Sequence, residues 1–533
     1  MAEVNGTNQQ TYKTFLEHFD KELVQNHFTH AFTSGQVGRS FNVYIEGKTD
    51  DDAVKQYPAI LFGRDVFGKV SQCIKFKGNN LYIKRMPKRI NQNWLAVPQG
   101  AVVVIRCSEV DGITKIDRPE ADPNDAKYYF KDYNKCTCDF FTFHETTSAK
   151  NFWDAIQQTI TGSGHVSIPA DHLMHVSRDV SETEPDVPYE QQFNDVFGQA
   201  LVARYMLPND ENQCFFLFSG GIDSFYVTLR AASLFPEEIE FVLFNVAFKG
   251  DDEEDENEKA NSDELKPTKS NKRNSKSLSP RKIKDYEEAE DRKGGFAAYQ
   301  WLVKEFPNRK FTFVRVDVSI DELKAERERS IAYAIAPQNT VLDDSIGCAL
   351  WFATRAKGYV LGEDGVTKRD VSYDDAKYIL VGSGSDELLS GYHRSALCKN
   401  YDAIAEDLEG HIQEIGNKNF GRDDRIAFSN KRTLRIPFMD EAVVIFVNQL
   451  PLSQKFVFQK PLGEGEKVIL RRALRLLGVP EQFYSKPKKA FQFGSNIAKL
   501  EKKGEFANAK CERLNIDNDG YDSSDDGPGD VLL

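Results

Sequence analysis

The sequence predicts an α/β protein: a doubly wound, mostly parallel sheet preceded by a smaller, β-rich α+β domain. Three observations carry this. Short β-branched and aromatic runs at 214–218, 240–247, 311–318 and 377–381 alternate with helical patterns, as in strand–helix–strand units. Two of those runs pass directly into turns of glycine and serine, the usual exit from a buried parallel strand. Between Ser40 and about Cys107, short apolar runs bounded by Gly, Asn and Pro follow one another with no helical period between them.

Taken in order, residues 1–35 form a polar N-terminal segment. The β-rich domain spans 36–175, with strands expected at Phe41–Ile45, Ala59–Phe62, Cys73–Phe76 and Ala101–Ile105. Residues 108–175 are polar and carry two aromatic clusters, Tyr128–Phe130 and Phe140–Phe143. The α/β domain spans 185–505 and opens with a helix on which Phe193, Val196, Phe197, Ala200, Leu201 and Tyr205 share a face. Residues 251–290 begin acidic and turn Lys/Ser-rich with almost no large apolar side chain, so they read as a disordered insertion. Residues 512–533 read as an acidic disordered tail, whose Asp spacing breaks the calcium-loop pattern at Gly520.

Bulk properties narrow the function. A net charge of −13 argues against a nucleic-acid partner. No apolar run reaches the ~18 residues of a membrane span, and no signal peptide is visible. The 8 cysteines are scattered without zinc spacing, which suits a reducing, cytoplasmic location. His172 and His175 form an HxxH, which reads as a surface loop rather than a metal site.

The chemistry concentrates in two segments. Cys214–Phe218 is an apolar strand that meets Ser219-Gly220-Gly221-Ile222-Asp223-Ser224, and a helix is expected from Phe225 to Phe235. A loop opening a helix offers free N–H groups and the positive dipole end to an anion. Gly220 and Gly221 let the backbone approach phosphate oxygens, Ser219 and Ser224 add hydroxyls, and Asp223 can hold a Mg2+ that neutralises the phosphate. The second segment runs from Tyr378–Val381 into Gly382-Ser383-Gly384-Ser385-Asp386-Glu387. Parallel strands would bring both turns to one sheet edge, where Asp223 and Asp386 share one Mg2+.

These segments resemble the asparagine synthetase family, in its ATP-pyrophosphatase-loop synthetase domain. Ser219–Ser224 is similar to its SGGxDS loop and Val381–Tyr392 to its second motif, S-G-E-G-S-D-E-x-x-x-G-Y. Arg435–Asp440 resembles its R-x-P-F-L-D, Glu466–Arg471 its K-x-x-L-R, and Ser485–Gly494 its late basic segment. Thr340–Ala353 and Gly421–Arg425 resemble a narrower group of proteins that contain such a domain. The resemblance implies an adenine-nucleotide alpha-hydrolase-like fold, with ATP and Mg2+ as cofactors. It implies carboxylate adenylation followed by amidation with ammonia or another amine, aspartate being the family's carboxylate. Asp223, Asp386 and Lys467 would be catalytic, and Lys467 would reach a phosphate. The ATP site would comprise Phe218, Ser219, Gly220, Gly221, Ile222, Asp223, Ser224, Val246, Gly382 and Ser383. Of these, Phe218, Val246 and Gly382 would line the adenine and ribose. For Arg435 and Asp440 the competing reading is an ion pair that stabilises the fold.

Three departures bear on activity. Ser383 stands where the family has an acid implicated in proton handling, whose loss typically costs ~10²–10⁴ in rate. Gly347 stands where a cation near an acidic substrate is expected. Ala59–Lys69 resembles a glutaminase (Ntn-type) turn, yet position 2, the family's nucleophilic cysteine, is Ala2, and no glutamine hydrolysis is expected. The alternative is a catalytically impaired nucleotide-binding or regulatory protein that keeps the synthetase fold. A tRNA thiolase reading is opposed by the charge and by the lack of suitable cysteines.

Overall fold

The computed structural model describes residues 40–45, 59–64, 67–77, 80–86, 94–107, 136–142, 150, 153–154, 161–167, 174–181, 185–205, 212–249, 285–461, 463–487, 491–500 and 506–514. Ala2 and the whole polar segment 1–35 lie outside these residues, as do His172, 251–284 of the expected insertion and the tail from 515.

Eight strands come first: β1 (Ser40–Ile45), β2 (Ala59–Arg64), β3 (Cys73–Lys77), β4 (Asn80–Lys84), β5 (Leu95–Ala96), β6 (Ala101–Cys107), β7 (Cys136–Thr142) and β8 (Thr161–Ser167). Five of them make a sheet in the order β1-β2-β6-β7-β8, antiparallel except for β7–β8, and three make a smaller sheet in the order β4-β3-β5. β1, β2, β3 and β6 coincide with the runs read from sequence. β8, Thr-Gly-Ser-Gly-His-Val-Ser, escaped that reading because its glycines carry the wrong propensity, and pairing with β7 overrides it.

The second unit contains β9 (Gln213–Leu217), β10 (Glu240–Lys249), β11 (Phe311–Ser319), β12 (Lys357–Leu361), β13 (Lys368–Ser372), β14 (Tyr378–Leu380) and β15 (Thr433–Arg435). The sheet order is β13-β12-β11-β10-β9-β14-β15, parallel from β11 to β15. β10 is buried at every position from Phe241 to Phe248. Such a run belongs to a parallel strand covered on both faces. The antiparallel edge β12–β13 carries exposed Lys368, Arg369 and Asp370, charges that discourage edge-to-edge pairing. The chain is therefore mixed α/β with a mostly parallel sheet.

The opening helix, Tyr189–Tyr205, buries Phe193 and Phe197 against Tyr226, with ring centroids 5.5 and 4.8 Å apart. The helix expected from Phe225 begins earlier, at Ile222, because extended Gly221 acts as its N-cap; it ends at Leu234, with Phe235 extended before Pro236. The earlier start puts Asp223 and Ser224 in the first turn. The expected insertion ends sooner than 290. Asp285 caps a short turn, Tyr286–Glu288, and the helix Glu290–Glu305 follows. That end is held by buried Arg292, which bonds Glu287 and Asp317 at 2.8 Å each. The two units dock through polar pairs, among them Arg85 with Asp424 (2.6 Å) and the Ser71 N–H donating to Asp424 Oδ2 (2.8 Å).

Candidate active site

β9 and β14 are neighbours and run parallel, with Phe215 opposite Ile379 and Phe216 opposite Leu380. Their carboxyl ends therefore open at one edge of the sheet. The Phe218 N–H donates to Phe244 O at 2.9 Å, which extends the ladder one residue past β9. Asn245 Nδ2 donates to Phe218 O (2.8 Å) and Asp291 O (2.9 Å), and Arg292 Nε donates to Asn245 Oδ1 (2.8 Å). The first turn is thus tied to β10 and to the helix Glu290–Glu305.

The two glycines of that turn have different work. Gly220 has φ +76° and lies against the backbone of Gly294 and Gly295, where a Cβ would collide. Its bare Cα serves helix packing as well as the backbone conformation. Gly221 is exposed, and a Cβ there would meet only Ser219 Oγ, at 3.2 Å. Ser219 Oγ accepts from the Gly221 N–H (3.2 Å), and Ser224 Oγ donates to Gly221 O (3.2 Å), so both hydroxyls brace the turn. The first-turn N–H groups of Ile222, Asp223 and Ser224 have no acceptor within their own helix, which suits an anion. Phe218 and Val246 are buried.

The second turn packs directly on the first. A Cβ on Gly382 would come 2.7 Å from Ser224 N and 2.8 Å from Asp223 Cβ. Ser383 is half-buried beside it, and Gly384 follows with φ +89°. Ser385 Oγ donates to Asp223 Oδ1 at 2.7 Å, a bond between two turns 162 positions apart.

Lys467 joins the three segments. It sits in the left-handed region (φ +53°) at the head of the helix Val468–Leu476, and its N–H donates to Leu389 O (3.1 Å). Its side chain is wholly buried; Nζ stands 2.7 Å from both Asp223 carboxylate oxygens and 2.6 Å from Asp386 Oδ1. Burial opposes the Lys467 charge, but the attraction of Asp223 and Asp386 outweighs it and raises the pKa above the ordinary lysine value. The ammonium expected on a phosphate therefore lies between the carboxylates. The turn that offers it is pinned by Arg471, which donates to Glu466 O (2.8 Å) and Glu466 Oε1 (2.5 Å). Gly391 completes the enclosure, since a Cβ there would collide with Asp386 Oδ1 and Lys467 Cε.

Other motif residues lie outside this centre. Glu387 Oε1 accepts from Tyr392 OH (2.6 Å) and Asn419 Nδ2 (2.7 Å). Asp440 caps the helix Glu441–Gln449 through the Ala442 N–H (3.0 Å), and the Arg435 guanidinium lies 4.1 Å over the Tyr378 ring. Gly347 faces an apolar contact, where a Cβ would stand 2.6 Å from Ile335 and 3.2 Å from Ile426. The bare Cα at that position lets the helix pack closely on Ile335 and Ile426. His175 lies beside Glu409 (3.2 Å) at the surface. Ser385, Gly391, Asn245 and Arg471 were not singled out from sequence. Ser385 and Gly391 lay within the Val381–Tyr392 motif and Arg471 within Glu466–Arg471, whereas Asn245 lay only in an apolar strand run.

Asp223 and Asp386 converge on one cation, Lys467 Nζ, while keeping 22% and 18% of their side chains exposed. No group of three or more His, Cys, Asp or Glu that could hold a metal occurs among the described residues. Two carboxylates with an open side fit Mg2+ held jointly with phosphate oxygens rather than in an all-protein cage. No helix among the described residues is long and apolar enough to cross a membrane.

The asparagine synthase family model matches residues 394–522, the portion that holds Lys467. The asparagine synthetase domain-containing protein 1 of Mus musculus is 40% identical over 311 residues, 56% of this chain and 48% of its own length. Its Homo sapiens counterpart is 36% identical over 352 residues, 61% and 54% respectively. A putative glutamine-hydrolyzing asparagine synthetase of Methanocaldococcus jannaschii is 26% identical over 156 residues, 24% and 29%. The chain spans about half the length of the curated relatives it matches.

Proposed function

We propose that the protein is an ATP-dependent amide ligase, adenylating a small carboxylate and passing the acyl group to ammonia or another amine; the match of residues 394–522 to the asparagine synthase family model supports this reading. One observation carries the reading: Asp223 and Asp386, from adjacent parallel strand ends, meet on the same buried lysine. The finer assignments, a doubly wound sheet, aspartate as the carboxylate and a cytoplasmic location, are part of this proposal.

The first-turn N–H groups of the helix Ile222–Leu234, with Ser219 and Gly221, would bind the pyrophosphate end of ATP. A carboxylate oxygen of the substrate attacks the α-phosphorus and the bond to the bridging β-oxygen breaks, giving acyl-adenylate and pyrophosphate. The amine nitrogen then attacks the acyl carbon, AMP leaves with the C–O electron pair, and the nitrogen loses a proton. The protein's part is positioning and charge compensation. Lys467 fixes both carboxylates and keeps its proton. Ser385 orients Asp223 through the 2.7 Å bond. Mg2+, held by Asp223 and Asp386, would offset charge on the departing pyrophosphate. Ser383 offers no carboxylate to receive the amine's proton, which would then pass to solvent.

Incubating the protein with Mg2+, ATP, ammonia and a panel of carboxylates tests the proposal. The expected products are AMP, pyrophosphate and one amide, absent with Asp223→Asn. Tight ATP binding without pyrophosphate release would replace the ligase reading with that of a nucleotide-binding protein.

A further inference from the structure

We infer that the first domain is a brace for the second nucleotide turn: it holds Gly384–Glu387, and so the Asp386 carboxylate, from two directions. The kinetic consequence rests on the proposed ligase reading; the structural part stands without it.

One arm begins at Lys69, in the turn after β2. Its buried Nζ donates to Met439 O (3.3 Å) and lies 3.5 Å from Glu441 Oε1. Met439 is wholly buried, with Cγ and Sδ 2.7 and 2.8 Å from the place a Cβ on Gly384 would occupy. The thioether closes on that glycine, while Lys69 holds the carbonyl of the same methionine. The other arm begins at Arg64 and Gln99. Arg64 Nη2 donates to Gly416 O (3.0 Å), and Gln99 donates to Ile412 O (3.0 Å) and accepts from the Gly416 N–H (2.5 Å). Gly416 opens the π-helical stretch Gly416–Phe420, in which Asn419 donates to Glu387 Oε1 (2.7 Å). The arms therefore end on Gly384 and Glu387, the residues that bracket Ser385 and Asp386. Lys69 and Asn419 act through Met439 and Glu387 and are positioning residues.

The test uses the full chain with Lys69→Ala, Asn419→Ala and, as conservative control, Lys69→Arg. Amide hydrogen exchange of peptides covering Gly384–Leu389 should accelerate about tenfold in both alanine variants, with the helix Ile222–Leu234 unchanged and Lys69→Arg near wild type. The Mg2+ concentration that half-saturates pyrophosphate release should rise about tenfold while the KM for ATP moves less than about twofold. Unchanged exchange at Gly384–Leu389 in both variants would overturn the inference, as would equal acceleration across the whole chain. Accelerated exchange in a protein whose wild type releases no pyrophosphate would support the brace and refute the ligase reading.

Discussion

Replacing Lys455 with methionine should stabilise the protein, and the gain should depend on pH. Lys455 is wholly buried, and its Nζ has no hydrogen-bond partner among the described residues. Desolvation drives its pKa from 10.5 down to about 7; Glu409 pulls it back up and Arg178 opposes that. Because the folded pKa lies below the unfolded one, the unfolded chain binds a proton between about 7 and 10.5 that the folded chain has released. Stability from this group therefore falls as pH drops through that window, and below about 7 the full cost is present and constant. At about 1.4 kcal/mol per pKa unit, the cost at pH 7 is about 4 kcal/mol, and at pH 10 it is under about 1 kcal/mol. Methionine keeps the length and the packing without the charge. Urea unfolding of Lys455→Met and wild type, followed by circular dichroism at both pH values, reads the difference. A gain of several kcal/mol at pH 7 that nearly vanishes at pH 10 is expected. No gain at pH 7, or an equal gain at both, would refute the reasoning.

Other outcomes follow from the same geometry. Lys467→Met leaves two carboxylates facing the space of one lost ammonium; it should lower stability by about 3–5 kcal/mol in urea titrations and abolish pyrophosphate release. Gly391→Ala forces a methyl into Asp386 and Lys467 and should lower kcat about 100-fold or more, with far-UV dichroism retained. Ser385→Ala removes the donor to Asp223 and should reduce stability by about 1.5–3 kcal/mol, a charge-assisted bond, measured by the urea midpoint.

How much of this was legible in the sequence depends on whether the signal was local. β9, β10, β11 and β14 are short runs rich in β-branched and aromatic residues, and both turns that follow β9 and β14 use small residues in fixed order, so the sheet edge and the Asp223–Asp386 pair could be read directly. Lys467 was legible as a motif residue, but its partner was not. Its placement between two carboxylates follows from a left-handed backbone at the head of its helix and from enclosure by Gly391, which no local pattern announces. Gly220 looked like a phosphate glycine, yet the tight approach of Gly294 and Gly295 is a tertiary fact. The packing of Gly347 against Ile335 was likewise hidden, since sequence shows the residue type and not the direction its Cβ would take. Ser385 sat inside a recognised motif and passed as filler, since its bond to Asp223 crosses between segments 162 positions apart.

The central claim is that two strand-end turns hold the reacting phosphates of one nucleotide. Exchange of radiolabelled pyrophosphate into ATP measures it most directly, because it requires adenylation alone and no amine. With Mg2+ and a panel of carboxylates, wild type should catalyse carboxylate-dependent exchange, and Asp223→Asn and Asp386→Asn should each lose it. No exchange with any carboxylate, or exchange undiminished in either variant, would contradict the account.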